Sequence, residues 1–179
     1  MNWKHGWPII LRYGLLAAAG SVLLAALPYT VGDREWFVSS RVNVVLSLLQ
    51  LAWGIVCALM AVRRWRALHE GRAAFHEALL LTWPVLLLMG TAGILHYWIR
   101  MQLRPDQFEW VRQIQLDAWR QKWIAENLSE ADIASKTAQF LSDFQPPTFS
   151  TALMQWVLWL LISFGLALVV AAFAKTKSR

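Results

Sequence analysis

Four long apolar runs constrain this chain more than any other feature of its sequence. They cover residues 9–31, 42–62, 78–99 and 152–174. Each run reaches the length of about 20 residues that a helix rising about 1.5 Å per residue needs to cross a hydrocarbon core of roughly 30 Å. With 58% hydrophobic residues gathered in such runs, the chain is too apolar for an ordinary water-soluble domain. The sequence therefore predicts an all-α, polytopic membrane protein whose four transmembrane helices form a single membrane domain over residues 1–179.

One long polar segment, residues 100–150, separates the third run from the fourth and is predicted to lie outside the bilayer. Its first half carries apolar residues at helical spacing, such as Phe108 and Ile114, which predicts an amphipathic helix. Ser129 is a favourable N-cap for a second helix because acidic residues follow it in the first turn, and the two prolines at 146–147 end that helix. We therefore expect an external amphipathic helical hairpin between spans 3 and 4.

Three tryptophans of this hairpin, Trp110, Trp119 and Trp123, form more aromatic surface than two short helices can bury between them. The apolar helix faces can pack on each other, on the membrane surface or on a second protein. The tryptophans indicate an interface, either with another envelope membrane protein or with lipid headgroups. They are the candidate partner-interface residues.

Span 2 has one polar helical face. Asn43, Ser47 and Gln50 recur at intervals of four and three residues, so they lie on the same side of a helix. Polar groups in lipid need hydrogen-bonding partners. The face is compatible with two arrangements: hydrogen bonds to neighbouring helices inside a bundle, or the polar lining of a cavity that holds a ligand or a lipid headgroup.

The connector between spans 2 and 3 contains two histidine–glutamate pairs, His69–Glu70 and His76–Glu77, offset by seven residues. On one continuous helix the four side chains would share a face and form a candidate ligand set for a transition metal. Gly71 argues against a continuous helix because glycine is typical of helix ends. Solvated side chains at the membrane surface are the simpler interpretation, and we predict neither a metal site nor catalytic residues.

Two further residues limit the chemistry. Cys57 is the only cysteine, which excludes an intrachain disulfide and thiol-pair redox chemistry. His96 has no second histidine at a similar depth in another span, which excludes a bis-histidine haem within one chain. We therefore expect no cofactor.

Charge predicts the orientation. The net charge is +6, but the basic residues lie beside the apolar runs, so lipid rather than nucleic acid is the expected partner. The basic flanks contain Lys4, Arg12, Arg63, Arg64, Arg66, Arg72, Lys175, Lys177 and Arg179, whereas the first loop contains Arg34 and Arg41. Because basic short loops stay in the cytoplasm, both termini are predicted to be cytoplasmic and residues 100–150 extracytoplasmic.

The layout of the chain resembles a known family. Four spans, the sequence GRAAF at residues 71–75, the segment SEADIASKTAQFLSDFQPPTFSTALMQ at residues 129–155 and a short basic tail are together similar to the domain of unknown function 4199 family, bacterial membrane proteins found mostly in Bacteroidetes. The resemblance covers nearly the whole chain. It implies an inner-membrane protein without an assigned activity or catalytic residues, often encoded near envelope glycosyltransferases that act on polyprenyl-linked substrates.

Three classes of function remain. A non-catalytic partner or assembly subunit of an envelope complex is favoured, because no span carries paired acids and no nucleophile–base pair is evident. The alternative is a small transporter or lipid-handling protein that uses the polar face of span 2, although the lack of mid-span acids weakens proton coupling. An enzyme at the membrane surface would use the histidine–glutamate pairs as acid–base groups. Self-association is a further expectation, because four spans make a thin bundle.

Overall fold

A computed structural model describes residues 3–32, 37 and 40–175 of the chain. These residues form helices and connecting segments, with no strand among them. The six helices are α1 (Trp3–Val31), α2 (Ser40–Leu68), α3 (Phe75–Leu103), α4 (Pro105–Ala125), α5 (Glu130–Asp143) and α6 (Phe149–Ala174). The predicted all-α fold is confirmed.

Four of these helices, α1, α2, α3 and α6, are long and apolar enough to cross a membrane. The prediction of a polytopic membrane protein is confirmed. The helices extend beyond the apolar runs: α2 continues past residue 62 to Leu68, and α3 begins at Phe75 instead of residue 78. They do so because polar residues at a membrane boundary keep the helical hydrogen bonds that the apolar residues began.

Helix α3 is central to the bundle and packs on α1, α2 and α6. Small residues make its contact with α1 close: Ala17 and Ser21 of α1 are buried, and a Cβ added at Gly14 would overlap Leu88 of α3. Close backbone approach at small residues is the usual way in which helices associate in lipid.

Two tryptophans lie in the space left by glycines. The indole Nε1 of Trp53 donates to the carbonyl of Leu16 at 3.2 Å, and a Cβ added at Gly20, one turn later, would overlap this indole. Trp159 of α6 makes the same kind of contact with α3. Its Nε1 donates to the carbonyl of Leu86 at 3.1 Å, and a Cβ added at Gly90, one turn later, would overlap the indole. In both places the glycine exposes the carbonyl of the preceding turn to a neighbouring helix.

Thr82 joins α3 to α6. It lies two residues before Pro84, which cannot donate the usual hydrogen bond to the preceding turn. The Thr82 hydroxyl donates to the carbonyl of Leu79 in its own helix at 3.3 Å and also lies 3.5 Å from the carbonyl of Ala167 on α6. Thr82 thus serves helix–helix packing as well as its own turn, while α3 continues through Pro84 to Leu103.

A sharp corner separates α3 from α4. Arg104 leaves helical geometry at φ −131°, and Pro105 begins α4, where a missing N–H is tolerated. Arg104 donates two hydrogen bonds to the Asp106 carboxylate, which lower the pKa of that carboxyl. Across the corner, the Gln102 amide donates to the Pro147 carbonyl at 2.9 Å, which links the two ends of the polar segment.

The predicted hairpin consists of α4 and α5. Asn127 has a left-handed φ of 57° and lets the N–H of Leu128 bond back to the Trp123 carbonyl at 3.2 Å, which ends α4. The Ser129 hydroxyl then accepts from the Asp132 N–H at 3.2 Å and caps α5, as predicted. Helices α4 and α5 contact each other in antiparallel orientation, and the Arg120 Nε donates to the Thr137 hydroxyl at 3.4 Å.

The bundle has two different ends. At one, which we call the basic end, α1 begins and α6 stops, and the Arg66 guanidinium donates to the carbonyl of Ala174. The described cations of the predicted basic flanks near this end are Lys4, Arg63, Arg64, Arg66, Arg72 and Lys175. The other end, the hairpin end, carries α4 and α5. Arg34, Lys177 and Arg179 of the predicted charge pattern lie outside the described residues.

Candidate functional site: a cavity at the hairpin end

A cavity of about 350 Å³ lies where α1, α2 and α3 meet the hairpin. Its walls are the last turns of α1, the first turns of α2 and the last turns of α3, and the hairpin covers it. The volume is within the usual range of about 300–1,000 Å³ for small-molecule sites. The cavity therefore lies between the end of the membrane-spanning bundle and the polar segment.

The polar face of α2 forms one wall. Asn43, Ser47 and Gln50 all line the cavity. The Ser47 hydroxyl donates to the Asn43 carbonyl at 2.8 Å, and the Gln50 amide donates to the Ser21 carbonyl of α1 at 3.3 Å. The structure therefore contains both arrangements expected for this face: Gln50 makes an interhelical hydrogen bond, and all three residues line a cavity.

Arg100 of α3 is the only cation lining the cavity among the described residues. Its guanidinium carbon lies 3.8 Å from the centre of the Tyr29 ring, and its Nε donates to the Gln107 amide oxygen at 2.9 Å. These two contacts, one from α1 and one from α4, hold the guanidinium across the cavity wall. No aspartate or glutamate among the described residues lines the cavity.

Aromatic residues join the hairpin to the bundle. Phe37 packs edge-on against Tyr29 of α1, with ring centroids 5.2 Å apart, and against Trp110 of α4 at 5.0 Å. Phe108 and Phe144, from the two arms of the hairpin, stack at 5.5 Å and line the cavity. The cover of the cavity is therefore apolar and well packed.

Several polar groups of the lining lack a protein partner. Among the described residues, none hydrogen-bonds to the hydroxyl of Tyr97, the imidazole of His96 or the amide of Gln115. Tyr97 is 39% exposed, and His96 and Gln115 are half-buried, so these groups are open to water or to a ligand. The cavity thus combines an apolar cover with unfilled donors and acceptors.

The candidate interface tryptophans differ in exposure. Trp110 is 40% and Trp119 43% exposed, whereas Trp123 is only 8% exposed. Trp123 stacks on Trp119 with centroids 6.2 Å apart, and Lys136 of α5 lies 5.9 Å from its ring centre. Trp123 therefore belongs to the interior of the hairpin, and the exposed aromatic surface comes from the other two.

The two histidine–glutamate pairs of the connector lie on either side of Gly71 and contact different neighbours. No group of three or more His, Cys, Asp and Glu side chains in the described part of the chain could hold a metal ion. Gly71 has a φ of +78° and follows the end of α2, so the connector is not one continuous helix, as the glycine predicted. His69 stacks on Trp65 at 3.7 Å, and Glu77 accepts the Ala74 N–H at 3.0 Å at the start of α3.

The fold and the cavity define a multi-pass membrane protein with a four-helix bundle and an amphipathic cavity beneath a pair of shorter helices. The chain belongs to the family described as "Protein of unknown function (DUF4199)", whose family model matches residues 12–176, nearly the whole chain. No curated protein and no solved structure matches it.

Sequence reasoning identified only one wall of this site. It treated Arg100 as the start of the polar segment and His96 as an isolated histidine at the membrane boundary. These two residues are one helical turn apart, which places them on the same face of α3. That spacing could have indicated that they belong to one site. Tyr29 and Gln115 had no such signal, because they reach the cavity only through packing between helices distant in sequence.

Proposed function

We propose that this protein binds an amphipathic membrane molecule in the hairpin-end cavity and acts as a lipid-handling protein without a catalytic centre. The observation that supports this proposal is the lining: Asn43 and Ser47 on one side, and apolar groups such as Phe108 and Phe144 on the other. The whole chain acts as a single membrane domain, with the hairpin inserted as its cover. This favours the lipid-handling alternative over the partner function that the sequence favoured.

The position of the polar side chains supports a ligand. Asn43 and Ser47 lie in the first turns of an apolar helix, and both side chains remain exposed in the folded chain. The Ser47 hydroxyl has a partner in the Asn43 carbonyl, whereas the Asn43 side-chain amide has none among the described residues, which is unfavourable beside acyl chains. A headgroup in the cavity supplies that partner while its chains remain beside the apolar faces of α1 and α2.

The charge distribution supports an orientation. The cations of the basic end favour the cytoplasmic side of a bacterial inner membrane, so the cavity and hairpin face the outside of that membrane. The ligand is then a molecule of the outer leaflet.

Filling the cavity tests this proposal. In the Ser47→Trp variant the indole occupies the space of the headgroup, and we expect lipid that stays with the purified protein in native mass spectrometry to fall at least fivefold. Leu48→Trp is the matched control, since Leu48 is the next residue of α2, is 59% exposed and does not line the cavity. Equal lipid retention by wild type and both variants, with all three folded, would contradict the proposal.

A second function, that of a non-catalytic subunit of an envelope complex, is favoured by one observation: Trp110 and Trp119 of α4 remain 40% and 43% exposed. Large aromatic side chains of this kind are typical anchors of protein interfaces. The link to polyprenyl-dependent glycosyl transfer, which the family resemblance implied, belongs to this hypothesis.

Co-purification in mild detergent tests the second function. We expect a stoichiometric membrane partner that is lost in the Trp110→Ala, Trp119→Ala double variant. Ile124→Ala is the control, because Ile124 is an apolar residue of the same helix that is 62% exposed. A partner retained by the tryptophan variant, or lost equally with Ile124→Ala, would exclude this surface as the interface.

A further inference from the structure

The orientation of Arg100 is unusual for an arginine near the end of a membrane-spanning helix. Such a side chain normally extends toward the headgroup layer and water. Here the guanidinium carbon lies over the Tyr29 ring, 3.8 Å from its centre, and Nε donates to the Gln107 amide oxygen at 2.9 Å. Both partners are uncharged, so they position the cation at the cavity without neutralising it.

Two of the three guanidinium nitrogens of Arg100 donate to none of the described residues. Its Nε is used by Gln107, whereas neither Nη donates to a described residue. No described carboxylate forms an ion pair with it; the pairs near the hairpin are Arg104–Asp106, Arg112–Glu109 and Lys122–Glu126. A half-buried cation with free donors beside apolar walls favours an anion in the cavity.

Other ligand classes fit less well. Aromatic side chains around a cavity can bind a quaternary ammonium group through their ring faces. The Tyr29 ring already has the Arg100 cation over its face, and a second cation would meet repulsion there. A neutral headgroup could accept hydrogen bonds from the two Nη atoms of Arg100 but would leave the positive charge uncompensated beside apolar walls.

On the premise of the proposed function, we infer that the ligand presents a phosphate group to the Nη atoms of Arg100. The planar fork of a guanidinium pairs with two phosphate oxygens at once. The uncharged donors of Asn43, Tyr97 and Gln115 line the same cavity and supply further hydrogen bonds. At ~30 Å³ for each water molecule, the cavity holds about a dozen waters, which matches a headgroup rather than acyl chains.

Lipid competition tests the inference. The full-length protein in detergent is equilibrated with an equimolar mixture of dioleoyl phosphatidic acid and dioleoylglycerol, which has the same acyl chains and no phosphate, and the bound lipid is measured by native mass spectrometry. We expect about a tenfold preference for phosphatidic acid, the effect of one charge-assisted pair. Arg100→Gln should remove the preference, and Arg100→Lys should retain part of it because the charge remains. Arg104→Gln is the control, since it removes a cation one helical turn away that does not line the cavity.

The arms of this experiment separate the possible outcomes. Displacement of phosphatidic acid by excess inorganic phosphate supports recognition of the phosphate alone, and its retention supports recognition of the lipid. An equal affinity for both lipids, or an unchanged preference in folded Arg100→Gln, overturns the inference while leaving the cavity proposal intact. Loss of all lipid binding from wild type would instead contradict the proposed function. The melting temperature of each variant in detergent verifies that it is folded.

Discussion

At the scale of single residues, two glycine–tryptophan pairs stabilise the bundle. Gly20 exposes the Leu16 carbonyl to Trp53, and Gly90 exposes the Leu86 carbonyl to Trp159. Each indole N–H thereby gains an acceptor inside an apolar bundle, where the alternative is an unsatisfied donor. The glycines are needed for their lack of a side chain, since both lie within helices.

Alanine at Gly20 or Gly90 should therefore destabilise the protein by about 1–3 kcal/mol, because the new Cβ displaces the indole and breaks its hydrogen bond. Reversible unfolding in mixed micelles measures the change in the free energy of unfolding. Gly165→Ala is the matched control: Gly165 also lies within a helix, and a Cβ there meets no neighbour. Equal destabilisation by all three substitutions would refute a specific role for the indoles.

Ala17 and Ser21 of α1 are small residues four positions apart, and both are buried in the close contact with α3. The same sequence gave no means to pair Gly20 with Trp53 or Gly90 with Trp159. Each pair joins residues more than 30 positions apart, so it depends on which helices become neighbours. Periodicity along one helix does not contain that information.

At the scale of elements, the hairpin is fixed to the bundle through apolar contacts of α4. Phe108, Val111 and Ile114 are buried, and Phe37 packs against the last two. Helix α5, in contrast, has no buried residue of its own. Its position therefore depends on its cap and on α4.

Replacing Phe108 by alanine should loosen the hairpin, because the side chain is buried and covers the cavity. We expect a local loss of roughly 3 kcal/mol, seen as faster amide hydrogen exchange across α4 and α5 with little change in α1, α3 and α6. Ile124→Ala, at an exposed position of α4, should leave the exchange rates unchanged. If Phe108→Ala accelerated exchange equally in all helices, the hairpin would not be a separate unit of stability.

The elements themselves were largely predictable. Run length identified the four spanning helices, and Ser129 and Gly71 marked helix ends because their chemistry acts locally. The sequence did not distinguish the buried Trp123 from the exposed Trp110 and Trp119, since its burial comes from stacking on Trp119 and from Lys136 of the other arm. Contacts between elements, rather than patterns within them, determined that outcome.

At the scale of the whole molecule, the basic short flanks and the cavity lie at opposite ends of the bundle. The described cations of those flanks, among them Arg63, Arg64 and Arg66, lie where α1 begins and α6 ends. Arg100 and the uncharged polar lining lie at the opposite end, beside the long polar segment that carries both basic and acidic residues. Basic loops favour the cytoplasm, so the arrangement predicts a cavity that opens away from it.

Reporter fusions test this orientation. A reporter active only outside the cytoplasm, inserted in the turn at residues 126–128, should be active, whereas the same reporter at the C-terminus should be inactive. A cytoplasmic reporter at the two positions serves as the reciprocal control. The reversed pattern would place the cavity on the cytoplasmic side.

The central claim is that the hairpin-end cavity holds the headgroup of an amphipathic molecule. An experimental structure of the protein in lipid nanodiscs tests it most directly, with the region between Asn43, Arg100 and Gln115 as the place to inspect. We predict non-protein density there, within hydrogen-bonding distance of the Arg100 guanidinium, that continues toward the lipid phase. A cavity closed by side chains, with Arg100 extended into the headgroup layer and no such density, would contradict the account.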